Sequence, residues 1–152
     1  MRMPQIMQKF IVHTDGGARG NPGPAALGVV IANEKGEALK KYGEYIGETT
    51  NNTAEYQAPI FALKKIKSLW GKDTAKKSEV QVFADSELLV KQMNGEYKIE
   101  HSNIQSLFLE LWNLKIDFKK VSFTAIPREK NKEADRLVNE ALDAQGKAKR
   151  LF

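Results

Sequence analysis

A buried strand that ends at a carboxylate and runs into glycines and prolines constrains this chain more than any other feature. Residues 10–14 are largely apolar and β-branched, which is typical of a strand inside a sheet. Asp15 follows, and the glycines and prolines of residues 16–24 predict that the chain turns directly after it. We therefore expect Asp15 at the end of a strand, facing a loop whose small residues let another backbone come close. Such a carboxylate either caps its own turn or belongs to a functional site.

The hydrophobic pattern of the remaining chain predicts an α/β domain with the element order β-β-β-α-β-α-α-β-α. Short connections join the first three strands into an antiparallel meander, and a long helix then runs to about Trp70. Residues 71–78 are predicted to form a polar surface linker. The last helix is expected to span about residues 131–145, and residues 146–152 a loosely held basic tail. All 152 residues fit one domain, with its core at about residues 8–145.

Three more acidic residues occupy positions comparable to that of Asp15. Asp85 ends the strand of residues 79–84, Glu55 heads an apolar helical stripe, and Asp135 borders the inward face of the last helix. Both Glu55 and Asp135 are predicted in the first turns of their helices, where the helix dipole alone would also favour an acid. Four converging carboxylates repel one another strongly unless divalent cations neutralise them. Oxygen ligands without cysteine or a nearby histidine favour Mg²⁺ or Mn²⁺ over zinc.

Composition limits the other classes of function. The absence of cysteine excludes disulfides, thiolate metal sites and cysteine nucleophiles, and it fits a reducing compartment. No apolar run approaches the roughly 20 residues that span a bilayer, and no signal peptide is recognisable, so a cytoplasmic location is the expectation. A net charge of +5 is compatible with a polyanionic partner, but the lysines are scattered in small groups.

Four segments together resemble the motifs of type 1 ribonuclease H, in the form seen in a prokaryotic branch that lacks a basic protrusion. They are residues 14–17 (TDGG) with 20–23 (GNPG), 50–55 (TNNTAE), 84–86 (ADS) with 89–90 (LV), and 127–137 (PREKNKEADRL). The similarity covers roughly residues 8–145. It implies a five-stranded mixed sheet with helices on both faces. It also implies Mg²⁺-dependent endonucleolytic cleavage of the RNA strand of RNA/DNA hybrids, leaving 5′-phosphate and 3′-hydroxyl ends.

The resemblance also implies a role for individual residues. The four acids would hold two metal ions, with Mn²⁺ as a substitute for Mg²⁺. Further residues would contact the substrate, either the RNA minor groove (Gly16, Asn21, Asn51 and Asn52) or a phosphate of the DNA strand (Thr50 and Asn103). Minor-groove contacts suit this task because the 2′-hydroxyl distinguishes RNA from DNA. Helix capping is the alternative role for Asn51, Asn52 and Asn103, and it is compatible with substrate binding.

The chain departs from the family pattern in the loop before the last helix. Many relatives carry a histidine there that is thought to assist proton transfer or product release, whereas this loop reads Pro127-Arg128-Glu129-Lys130. His13 lies inside the first strand and His101 caps a helix, so neither is an obvious substitute. Arg128 or Glu129 is a candidate for the auxiliary role.

The chain also has only a short connection, residues 95–102, where some relatives insert a basic segment. Substrate affinity would then depend on scattered lysines and on the tail. The expectation is a monomer that acts on RNA/DNA hybrid without an obligate protein partner. Alternatives are a nuclease of this fold that also cuts double-stranded RNA, a non-catalytic hybrid-binding module, and a proofreading-type exonuclease.

Pro59 and Trp112 are two helix residues with a predicted local effect or position. Pro59 lies inside the first predicted helix, where it removes a hydrogen bond and crowds the carbonyl of Glu55, so a bend or local loosening is expected there. Trp112 flanks the buried stripe of the helix that begins near Asn103, and it is predicted to belong to the core.

Overall fold

The structure is a computed structural model that describes residues 8–151. It contains five strands, five α-helices and one short 3₁₀ turn within that range. The strands are β1 (Lys9–Ala18), β2 (Gly23–Ala32), β3 (Ala38–Thr49), β4 (Glu79–Ala84) and β5 (Lys120–Ala125). The helices are α1 (Asn51–Trp70), α2 (Lys72–Lys77), α3 (Glu87–Met93), α4 (Ser102–Ile116) and α5 (Lys132–Leu151), and the 3₁₀ turn is Arg128–Lys130.

The strands form one mixed sheet in the order β3-β2-β1-β4-β5. Strands β1, β2 and β3 pair antiparallel, as the short connections between them predict. Strand β4 pairs parallel with both β1 and β5, and each of these connections passes through helices. The predicted α/β fold with a five-stranded mixed sheet is confirmed.

Strand β1 continues past the point where the sequence predicts a turn. Gly16 and Gly17 remain in the strand because they pair with Leu27 and Ala26 of β2, so the turn begins only after Ala18. The expectation that Asp15 ends its strand is therefore wrong for the antiparallel side. On the parallel side the pairing of β1 with β4 does stop at Thr14, so Asp15 lies just beyond that part of the ladder.

Glycines let two helices pack closely against opposite faces of the sheet. A Cβ atom on Gly16 would lie 2.3 Å from the backbone carbonyl of Ala54 in α1. A Cβ atom on Gly28 would lie 2.1 Å from the carbonyl oxygen of Ala134 in α5. These separations are far below a van der Waals contact, so both helices need glycine at these points in the sheet. Since Gly16 pairs with Leu27 and Asp15 with Gly28, the two glycines point to opposite faces.

The apolar core lies mainly between the sheet and the helices α1, α3 and α4. Its largest fully buried members include Tyr56, Phe10, Ile31 and Leu63. A smaller cluster under α5 contains Ala26, Val138 and Leu142.

Helix α1 continues through the buried Pro59 without interruption, and a bend there stays a prediction.

Three local expectations are wrong. Residues 71–78 are not a simple linker, because α2 forms there and buries Ala75 completely. Helix α5 does not end near residue 145 but extends to Leu151, so the basic tail continues the helix as far as the structure describes it. Gly146 lacks the positive φ that ends helices, and one glycine costs a helix only about 1 kcal/mol. The third expectation, that Trp112 belongs to the core, is wrong because its side chain is 39% exposed. Its ring stacks on Phe108, and the Lys115 ammonium group lies 3.9 Å from its ring centre.

None of the helices in residues 8–151 has the length and hydropathy needed to cross a membrane.

The glycine contact at α5 leads to a stability prediction. Gly28→Ala should lower the free energy of unfolding by about 1–3 kcal/mol or more, because its methyl group forces α5 away from the sheet. Gly146→Ala, inside α5 itself, is the control, because a Cβ atom at that position meets open space. It should raise stability by up to about 1 kcal/mol. Urea unfolding of both variants measures the difference, and equal effects of the two substitutions would contradict the close packing of α5.

Candidate active site

Register in the sheet places Asp15 beside Asp85. Thr14 pairs with Ala84 at the end of the parallel ladder between β1 and β4, so the next residue of each strand is an aspartate at the same level. Sites in sheets of this type form at the carboxyl ends of parallel strands. The Asp15 side chain is held locally, because its Oδ1 atom accepts a hydrogen bond of 2.9 Å from the N–H group of Gly16.

Helix α1 adds Glu55 to this pair. Gly16 allows the backbone of Ala54 and Glu55 to lie directly against β1, one residue beyond Asp15. Glu55 is the fifth residue of α1, so its predicted position in the first turn is wrong, although it faces the sheet as expected. Burial raises the pKa of Glu55; a hydrogen bond from Ser86 opposes that shift and the charge of Asp85 adds to it.

Helix α5 adds Asp135 from the other face of the sheet. The row Asp15–Gly28–Gly43 runs across three strands in register, and both glycines contact backbone carbonyls of α5. Asp135 lies in the first turn of α5, as predicted. The buried side chain of Asn131 anchors this end of the helix, because its Nδ2 atom donates a 2.8 Å hydrogen bond to the carbonyl of Thr14.

The four predicted acids line one groove of about 420 Å³. Burial, followed by repulsion from Asp85, raises the pKa of Asp15 from 3.8 to about 8. The charge of Asp135 raises it further, while the hydrogen bond from Gly16 lowers it. The carboxylates are therefore electrostatically coupled, and ionising all of them without a counter-charge is unfavourable.

The chemistry of this donor set fits hard divalent cations, since all four groups are carboxylates in a shared groove. Within residues 8–149, however, no three acidic or histidine side chains are gathered closely enough to enclose one ion directly. Holding a cation would thus require side-chain adjustment or oxygen ligands from substrate and water. Mg²⁺ sites commonly use such ligands in addition to one or two carboxylates.

The structure separates the predicted substrate residues into two groups. Gly16 and Asn51 line the groove with the acids, whereas Asn21, Thr50, Asn52 and Asn103 do not. Thr50 is the N-cap of α1, where its side chain accepts a hydrogen bond from the N–H of Thr53. Asn52 and Asn103 are exposed in the first turns of α1 and α4.

Asn21 and Asn51 have a structural task in addition to any contact with substrate. The Oδ1 atom of Asn51 accepts a 2.7 Å hydrogen bond from the N–H of Ala18. The Oδ1 atom of Asn21 accepts a 3.0 Å hydrogen bond from the N–H of Asn51. These bonds join the turn between β1 and β2 to the start of α1. Among the residues that the structure describes, neither side-chain NH₂ group has a hydrogen-bond acceptor.

Two arginines contribute positive charge to the groove. Arg128 lines it, with its Nη2 atom 3.9 Å from Oδ1 of Asp135. Glu129, the other predicted auxiliary residue, does not line the groove. Arg19 lies in the turn after β1, and its guanidinium group faces α5.

Comparison with known proteins identifies the family. A family model described as "Reverse transcriptase-like" matches residues 13–141. A solved structure of LC11-RNase H1 in complex with an RNA/DNA hybrid shares 48% sequence identity, with a TM-score of 0.85. That match covers 90% of this chain and 98% of the other. This chain belongs to the type 1 ribonuclease H family.

Other ribonucleases H support the assignment. The structure of RNase H1 from the halophilic archaeon Halobacterium salinarum NRC-1 is 36% identical, with a TM-score of 0.82 over 90% of this chain and 98% of that one. A bifunctional protein of Mycobacterium tuberculosis is 36% identical over 90% of this chain. This chain spans only 36% of the length of that mycobacterial protein and 62% of the length of the curated Halobacterium ribonuclease HI.

Sequence reasoning found the four acids of this ribonuclease H domain but missed the residues that position them. Asn131 was recognisable only as the start of a helix, and its contact with Thr14 spans 117 residues of chain. Gly28 and Gly43 carried no sequence signal beyond being glycines inside predicted strands. Arg19 was visible as a basic residue in the turn after Asp15, but its position against α5 follows only from the fold.

The raised pKa of Asp15 leads to a prediction about stability without metal. A carboxyl group with a higher pKa in the folded state binds its proton more tightly there than in the unfolded chain. The free energy of unfolding should therefore fall as the pH rises from about 4 to about 8. Asp15→Asn removes this loss and should raise stability near neutral pH by about 1–3 kcal/mol. Urea unfolding in EDTA at several pH values measures the effect.

Asp73→Asn serves as the control, because Asp73 is an exposed carboxylate in α2. An Asp15→Asn protein whose stability follows the same pH dependence as the wild type would show that Asp15 ionises freely in the folded state.

Proposed function

We propose that this ribonuclease H domain is a Mg²⁺-dependent endonuclease that hydrolyses the RNA strand of RNA/DNA hybrids and leaves 5′-phosphate and 3′-hydroxyl ends. The observation that carries the proposal is the groove at the carboxyl edge of β1 and β4, in which four mutually repelling carboxylates meet. A protein that only binds nucleic acid gains nothing from this repulsion, and negative charges oppose a polyanionic partner. A hydrolase that uses cations gains a site for them.

Asp15, Glu55, Asp85 and Asp135 would hold the cations, with Mn²⁺ as an alternative to Mg²⁺. When bound, divalent cations supply water activation and neutralise negative charge on the phosphate. The protein contributes position: Asp15 and Asp85 are fixed by strand register, and Glu55 and Asp135 by the glycine contacts of their helices. Asn131 keeps the start of α5 against Thr14 and thus keeps Asp135 near Asp15.

Discrimination between RNA and DNA would come from the junction between the β1–β2 turn and α1. Asn21 and Asn51 are held there through their Oδ1 atoms, which directs their NH₂ donors without further loss of side-chain freedom. A 2′-hydroxyl can accept such a hydrogen bond, whereas deoxyribose offers no group at this position. Asn52, Thr50 and Asn103 extend the proposed contact surface towards the N-termini of α1 and α4. One copy of the chain carries all four acids in one groove, so no second copy is needed to complete the site, in keeping with the proposed monomer.

Arg128 is the proposed replacement for the loop histidine of relatives. Its side chain lies over the groove near Asp135, unlike that of Glu129. A guanidinium group stays protonated, so Arg128 would stabilise negative charge at the phosphate rather than transfer a proton.

Cleavage of end-labelled duplexes tests the proposal. With Mg²⁺ or Mn²⁺ we expect internal cuts in the RNA strand of an RNA/DNA hybrid and none with EDTA. Asp85→Asn should lower the rate by about 100-fold or more, because it removes a charge that holds the cations. Arg128→Ala should reduce turnover more than Glu129→Ala, and Asp73→Asn should leave it unchanged.

Parallel substrates separate the alternatives. Cleavage of double-stranded RNA at a comparable rate would make the domain a broader nuclease, and cleavage only from free ends, absent on a blocked-end hybrid, would make it an exonuclease. Hybrid binding without any cleavage would contradict the proposed activity and indicate a binding module.

A further inference from the structure

The groove that holds the acids extends along α5 to a cation that the family motifs do not assign. Arg19 projects from the β1–β2 turn, and its Nη2 atom lies 2.7 Å from Oδ1 of Asp143. The same atom is 3.4 Å from Oδ1 of Asn139, whose Nδ2 atom donates a hydrogen bond to the carbonyl of Asp135. Arg19 and Asn139 both line the groove. A chain of polar contacts thus leads from Arg19 to the helical turn that carries Asp135.

The ion pair between Arg19 and Asp143 is easily broken. The two side chains are 48% and 62% exposed, and exposed pairs contribute about 0–1 kcal/mol to stability. Within the described part of the chain, the one hydrogen bond of the Arg19 guanidinium group runs from Nη2 to Asn139, so Nε and Nη1 donate no hydrogen bond. A phosphate diester can accept two parallel hydrogen bonds from a guanidinium group, which makes it a better partner than Asp143, whose contact with Arg19 is an ion pair without a directed hydrogen bond.

The position of Arg19 suits a phosphate next to the reaction site rather than the reacting phosphate itself. Asp135, Asn139 and Asp143 are spaced by four residues and therefore lie along one side of α5. Eight residues of helix separate Asp135 from Asp143, a distance of about 12 Å. A nucleic-acid backbone that enters the groove at the acids and follows α5 would bring a neighbouring phosphate to Arg19.

We propose that Arg19 is a substrate-binding residue that exchanges Asp143 for a backbone phosphate of the bound duplex. Asp143 holds the guanidinium group in place before substrate arrives and competes with the phosphate for it. Arg19 and Asp143 therefore adjust the affinity for substrate, although neither belongs to the group of four acids. This inference rests on the proposed function, because it requires a nucleic-acid duplex in the groove.

Binding of a fluorescently labelled RNA/DNA hybrid, measured by anisotropy in EDTA at several salt concentrations, tests the exchange without cleavage. Arg19→Gln should raise Kd by about 3- to 10-fold and reduce the slope of log Kd against log salt by about one, because one phosphate contact is lost. Asp143→Asn should lower Kd by about 2- to 3-fold, because the carboxylate that competes with the phosphate for Arg19 is removed. In the Arg19→Gln background this gain should disappear.

The Lys64–Glu110 ion pair provides matched controls. Its charged atoms are also 2.7 Å apart, both side chains are exposed, and neither residue lines the groove of the acids. Lys64→Gln and Glu110→Gln measure how far a change in net charge alone alters affinity. The proposal requires that Arg19→Gln raises Kd more than Lys64→Gln does. It also requires that Asp143→Asn lowers Kd more than Glu110→Gln does.

Three results would overturn the proposal. In the first, Arg19→Gln raises Kd no more than Lys64→Gln does. In the second, Asp143→Asn weakens binding as Arg19→Gln does. In the third, Asp143→Asn still increases affinity in the Arg19→Gln background. The second result would show that the ion pair only holds the turn. Should Arg19→Gln fail to fold, Asp143→Asn still decides, because a gain in affinity does not follow from loss of structure. A wild-type protein that binds no hybrid at all would instead contradict the proposed function.

Discussion

The site depends on two backbone contacts that only glycine permits. Gly16 lets α1 lie against one face of β1, and Gly28 lets α5 lie against the other face of the neighbouring strand. Asp15 is beside Gly16 in sequence and paired with Gly28 across the ladder, so both helices converge on the same aspartate. Any side chain at either glycine would separate one acid from the rest while leaving the sheet itself intact. The geometry of the carboxylates is thus a property of helix packing as much as of the acidic residues.

This convergence has an electrostatic cost that explains the rest of the site. Burial and the neighbouring carboxylates raise the pKa of Asp15 to about 8, so the folded chain without cations resists full ionisation. Positive charge within the groove comes from Arg19 and Arg128, and each forms an exposed ion pair with an acid of α5. Two weakly held arginines do not neutralise four half-buried carboxylates. Divalent cations would neutralise these carboxylates, and the negatively charged phosphate of a substrate could then approach.

The sequence predicted those parts of the molecule that depend on local pattern. Alternating and helical periodicity gave the order of the strands and the main helices, and the positions of Asp85 and Asp135 followed from the ends of those elements. The error at the end of β1 concerns residues whose conformation depends on a distant partner, whereas the extension of α5 reflects a helix that tolerates Gly146. Gly16 and Gly17 stay in β1 because β2 pairs with them, and the turn that local composition favours is overridden. The contact of Asn131 with Thr14 and that of Arg19 with Asp143 join segments more than 100 residues apart, beyond any pattern within a single window.

The central claim is that four carboxylates share one electrostatic site that is built to accept divalent cations. The most direct measurement is an NMR titration of the Asp15 side-chain carboxyl carbon, in a chain labelled at aspartate, with and without Mg²⁺. The account predicts a pKa near 8 without the ion and a clear decrease when Mg²⁺ is added, because a bound cation favours the ionised form. An ordinary aspartate pKa near 4 that does not respond to Mg²⁺ would contradict it.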